Sequence, residues 1–157
     1  MTGAKRTTPE RPSDGEAGAV GGVEVLPFGL LVFISLTLII VNLWAVVDAK
    51  MTVDAAAREA GRAFVEARDG ASARPAAKRA AAEVVRGSGR DPTRLSLVDN
   101  DPPFIRCAVV EHEASYTVPA LSVPFLGGFG SGFRVRGRHR ESIDAFREGL
   151  DGRGDCG

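Results

Sequence analysis

The chain has 157 residues, 44% of them hydrophobic, and its 20 basic and 20 acidic side chains cancel. That length holds one small domain beside a membrane segment. Zero net charge argues against general nucleic-acid binding, which needs a basic face for phosphates.

Residues 1–18, rich in Gly, Pro, Thr and charge, lack any apolar periodicity and read as a disordered tail. Next comes the stretch Val25 to Val47, VLPFGLLVFISLTLIIVNLWAVV, which carries no charge. A bilayer's hydrocarbon core takes about 20 apolar residues as a helix. Pro27 falls in the first turn, where its missing N–H costs little, and Trp44 suits a membrane–water interface. Residues 19–47 are therefore expected to form a transmembrane helix. A secretory signal peptide is the alternative, with Val47-Asp48-Ala49 as its cleavage site. The run, however, is longer than the about 7–15 residues of a usual signal core. Basic residues do not orient the span: Lys5, Arg6 and Arg11 on one side match Lys50, Arg58 and Arg62 on the other. Cys107 and Cys156, the two cysteines, allow at most one internal disulfide. Such a bridge would tie the C-terminus to a central strand and place residues 48–157 outside the cytoplasm.

Glu24 abuts the apolar run. A carboxylate at the edge of hydrocarbon is costly unless it reaches the headgroups or meets a cation. It is either an interfacial residue or the partner of a positive group within the membrane.

Beyond the span the helix continues over Asp48 to Asp69, which is free of Pro and rich in Ala. Val53, Ala57, Ala60, Phe64 and Ala67 recur at spacings of four and three, so they share one face. Asp54–Arg58 and Arg62–Glu66 are i,i+4 pairs on the other. The small residues let another element approach closely, either the protein's own C-terminal part or a second subunit. A second helix is expected over Ser72 to Arg86, with Ser72 as N-cap and Gly87 as stop. The period then turns to alternation. Arg94 to Asp99 reads as a strand and Asn100-Asp101-Pro102-Pro103 as a turn. Phe104 to Val118 reads as β, with a change of phase that predicts a bulge or turn near Glu111. Pro119 to Gly132 reads as a loop and Phe133 to Arg140 as a strand. In that last strand Arg134, Arg136, Arg138 and Arg140 alternate onto one face. They form either the solvated side of an antiparallel sheet or a basic stripe for an acidic partner, lipid headgroups or a polyanion. Ser142 is expected to cap a short helix with Ile143, Phe146 and Leu150 facing inward.

No catalytic constellation is evident, and neither a metal nor a cofactor is expected. His112 sits between Glu111 and Glu113, but alternate residues of a strand face opposite ways. Gly128-Phe129-Gly130-Ser131-Gly132 fits neither a phosphate loop nor a nucleophile elbow and reads as a hairpin loop.

Gly18-Ala19-Val20-Gly21-Gly22-Val23-Glu24-Val25-Leu26-Pro27, followed by an apolar helix, resembles the start of TadE/TadG-like minor pilins of the tight-adherence (Flp-type) pilus machinery. Ala56 to Ala67 is similar to the family's Ala-rich helix. Ser115 to Pro119 and Val123 to Gly128 are similar to its closing strands and Pro- and Gly-containing loop. The resemblance implies removal of a leader by a prepilin peptidase on the cytoplasmic side, at Gly18 or Ala19. Cutting after Gly18 leaves Glu24 sixth; cutting after Ala19 leaves it fifth, the family's spacing, with Ala before the cut. It implies that Glu24 faces the amino terminus of a neighbouring subunit. The expected fold is α+β and pilin-like: a transmembrane helix extended into a long α-helix, packed on a small antiparallel sheet with a short second helix. The expected function is that of a structural subunit or assembly factor, not an enzyme, in the cell membrane with its N-terminus cytoplasmic. Membrane lipid and other pilin-like subunits would be its partners. The alternative is an unprocessed membrane-anchored module that recruits a partner through its Arg strand.

Overall fold

A computed structural model describes residues 25–123, 125–130, 132–152 and 154–156. The expected tail, with Gly18, Ala19 and Glu24, lies outside the described residues. The fold is α+β, in the order α1 (Val25–Glu66), α2 (Gly70–Gly87), a 3-10 turn (Pro92–Arg94), β1 (Leu95–Asp99), β2 (Val109–Val118), β3 (Leu121–Val123), β4 (Gly127–Phe129) and β5 (Phe133–Ser142). By compactness the chain divides at Ile39/Ile40.

Up to Ile39 the described chain is helix with its large apolar side chains exposed, apart from half-buried Leu38. Its two hydroxyls stay within the helix: Ser35 Oγ donates to Leu31 O and Thr37 Oγ1 to Phe33 O, each at 2.8 Å. That is how a polar side chain is satisfied where no water is near. The helix is long and apolar enough to cross a membrane.

From Ile40 onward, two helices cover one face of a three-stranded antiparallel sheet of order β1-β2-β5. The face read from the sequence is buried there: Val53, Ala57, Ala60 and Phe64 of α1, joined by Ala49 and Ala56, with Ala67 just past the helix end. It packs on the protein's own sheet. Gly137 of β5 lies against Asp54, and Gly61 faces His139 and Glu141. The helix α2 contributes Ala73, Ala77, Ala81 and Val85 at four-residue spacing. Phe64 anchors the far end of the core, edge-on to Phe104 and His112 with ring centroids 5.7 and 5.5 Å away.

Several boundaries differ from the sequence expectations. The first helix stops at Glu66, because Asp69 is extended and caps the next one. Ser72 is not the cap; it is the third residue of a capping box. Its N–H donates to Asp69 Oδ1 at 2.8 Å, and its hydroxyl accepts from Asp69 N at 3.3 Å. Those bonds to Ser72 hold the Asp69 carboxyl below its usual pKa. Arg147 closes the end of α1 from the other side, donating to Ala67 O and stacking over Phe104 at 5.3 Å. Glu66 pairs with Arg62 at 3.0 Å as expected, but Asp54 pairs with Lys50, not Arg58.

Phe104 to Ala108 is turn, not strand, so the change of phase falls there and β2 runs unbroken through Glu111. Cys107 has φ 62° at this turn and is joined to Cys156, Cα–Cα 5.1 Å, outside the strand. Among the described residues no helix follows Ser142. Ser142 closes β5, and Ile143 exchanges backbone bonds with Cys107 and Ala108 at 2.9 Å. Ile143 is buried, whereas Phe146 is exposed. Within Pro119 to Gly132 the strands β3 and β4 pair as a small hairpin.

Candidate functional site

Alternation in β5 turns Arg134, Arg136, Arg138 and Arg140 to the uncovered side of the sheet, and all four are exposed. The register then decides what each meets. Thr117, Ser115, Glu113 and Glu111 of β2 stand opposite them in that order. Arg138 Nε donates to Glu113 Oε2 at 2.6 Å, and Arg140 Nε to Glu111 Oε2 at 2.5 Å. Arg136 Nε lies 3.7 Å from Glu113 Oε1. Among the described residues Arg134 has no ion-pair partner. Two carboxylates thus face four guanidinium groups, and the positive excess collects at the Phe133 end. Exposed pairs of this kind contribute about 0–1 kcal/mol each, so the face adds little stability. Its chemistry suits a carboxylate or phosphate group, which a guanidinium binds in a fork.

β5 is also an edge strand. Lys50 Nζ reaches its backbone, donating to Arg136 O at 2.6 Å while pairing with Asp54 Oδ1 at 2.6 Å. A cation on a sheet edge discourages another strand from pairing there.

On the inner side His112 is buried, and neither ring nitrogen hydrogen-bonds to a protein group. Burial pushes its pKa down; the Asp99 carboxylate opposes this, and His139 and Arg74 reinforce it. Glu111 and Glu113 point the other way, toward the arginines, so the three do not meet. No group of three or more His, Cys, Asp or Glu able to hold a metal occurs among the described residues.

Two features were passed over in the sequence. The inward His112 could have been read from its phase with Val110, Ala114, Tyr116 and Val118. The hairpin exposes Phe125, Leu126 and Phe129. Their signal is large apolar residues set among glycines, whose lack of side chains leaves little to cover them. No protein-family model, curated protein or solved structure matches the chain.

Proposed function

We propose that the protein is a pilin-like, TadE-like membrane protein: a structural subunit or assembly factor of a Flp/Tad-type pilus or a related secretion machinery. The observation that carries this reading is α1, 42 residues without a break. Its first part exposes large apolar side chains and no charged one, and its second part packs alanines onto an antiparallel sheet. One helix thereby serves as membrane anchor and as the spine of a folded domain, which is the economy of a pilin. The disulfide fits a domain outside the cytoplasm, with the N-terminus inside. Membrane lipid, other pilin-like subunits and a prepilin peptidase are its partners on this reading. Neither nucleic acid, cofactor nor catalytic step enters.

A second reading has one observation in its favour, the excess of positive charge around Arg134. In it the chain keeps its leader and is a membrane-anchored module that recruits an acidic partner through Arg134, Arg136, Arg138 and Arg140. Mass spectrometry of the N-terminus of membrane-extracted protein separates the two. A chain beginning at Ala19 or Val20 supports the pilin-like reading. An intact Met1 end favours the anchored module.

A further inference from the structure

The hairpin at Pro119 to Gly132 leaves the sheet at a definable height along α1. β5 runs in the same direction as the helix, since Gly137 meets Asp54 while His139 and Glu141 meet Gly61. Nearer the apolar end, Lys50 holds Arg136 O. Arg90 fixes the level of Tyr116. Its guanidinium lies 5.6 Å from the ring centroid, donates to Ala45 O at 3.3 Å and pairs with Asp48 at 2.6 Å. Val118 and its partner Phe133 lie two residues further on, about 7 Å at strand rise. That distance matches about four or five residues of helix, which brings the base of the hairpin level with the segment around Val41 to Trp44.

From this base the hairpin and the start of β5 expose large apolar side chains. Phe125 is fully exposed, Leu126 74%, Phe129 52% and Phe133 58%. Soluble monomers rarely leave such residues together in water. Much of the hairpin's backbone is already paired: β3 and β4 bond in register from Leu121↔Phe129 to Val123↔Gly127, and Leu126 N–H donates to Val123 O at 3.1 Å. A segment entering a bilayer interface needs that internal pairing. Cations flank the base: Arg94 lines a groove with Thr117, Gly128 and Gly130, and Arg134 stands opposite Thr117. Aromatic side chains with arginines just above them are the composition of an interfacial segment.

We propose that this hairpin is a second membrane contact, with Phe125, Leu126, Phe129 and Phe133 in the interfacial layer and Arg94 and Arg134 at anionic lipid headgroups. The proposal rests on the reading that the apolar run of α1 spans the bilayer. The folded domain would then be held against the membrane at two points. Lipid is favoured over a second copy of the chain because the base from which these side chains project is level with Trp44, on a stretch of α1 whose large apolar side chains are exposed.

The test uses the full chain in vesicles containing anionic lipid, with or without bromine on the upper acyl carbons. Trp44, the native reporter, should lose emission in brominated vesicles. In a Trp44→Phe background, Phe125→Trp and Phe129→Trp should each lose a comparable fraction. Phe146→Trp, beside Val65 and Glu66 at the other end of the domain, should keep its emission. If Trp44 is quenched but neither hairpin reporter is, the hairpin proposal fails and the spanning reading stands. If Trp44 is itself unquenched, both fall. Hairpin emission that shifts to the blue without quenching, and more so as the protein-to-lipid ratio rises, would assign the cluster to another copy and overturn the proposal.

Discussion

Gly137→Ala tests the packing of α1 on the sheet. A Cβ at this position would lie 2.5 Å from Asp54 Oδ1, 2.7 Å from Asp54 N and 2.8 Å from Asp54 Cα. Two of those atoms are helix backbone and cannot rotate away. Ordinary contact begins near 3.5 Å, so helix and strand must separate by roughly 0.7 Å, loosening the alanine seam on both sides. Overpacking of this kind costs about 1–3 kcal/mol. For a domain of this size that lowers the melting temperature by about 4–12 °C. Gly61→Ala is the contrast. Its Cβ would meet only side-chain atoms, His139 Cδ2 at 3.1 Å and Glu141 Cβ at 3.3 Å. Alanine also gains roughly 1 kcal/mol of helix propensity, so the net change should be near zero. Thermal unfolding of both variants in detergent micelles, followed by near-ultraviolet circular dichroism, gives the answer. Equal melting of Gly137→Ala and the parent, or equal loss in both variants, would refute the close approach.

Replacing both cysteines, Cys107→Ser with Cys156→Ser, should destabilise the domain by about 4 kcal/mol, the chain-entropy value for a bridge spanning 49 residues. A denaturation midpoint indifferent to reductant would contradict it. Because burial holds His112 below its ordinary pKa of 6.5, the unfolded chain takes up a proton that the folded one refuses. Stability should therefore be full above about pH 7 and fall as pH drops through about 6.5. His112→Leu should flatten that slope in melting curves across this window. Glu24→Gln should leave membrane insertion and the disulfide unchanged but weaken crosslinking to neighbouring pilin-like subunits. Undiminished crosslinking would leave Glu24 an interfacial residue only.

What the sequence could reveal depended on the range of the interaction. The face of α1 was legible because spacings of four and three need only the helical period. The arginine face of β5 was legible from a period of two. Boundaries set by competition between neighbours were not. Both Asp69 and Ser72 are good caps, and the choice fell to Asp69, with Ser72 reciprocating. Ile143, Phe146 and Leu150 imitate a helical stripe, yet Ile143 is held by Cys107 and Ala108, which precede the whole of β2 to β5, and Phe146 is left in solvent. The phase change in Phe104 to Val118 was visible, but its place was not. The left-handed turn at Cys107, a residue without glycine's freedom, is held by partners distant in sequence. The pairing of Glu111 and Glu113 with the arginines likewise required the strand register.

If the apolar part of α1 anchors the folded domain in a bilayer, alkaline carbonate extraction of membranes from expressing cells will show it. The protein should remain in the membrane pellet and be released only by detergent. Recovery of the intact chain in the carbonate supernatant would contradict it.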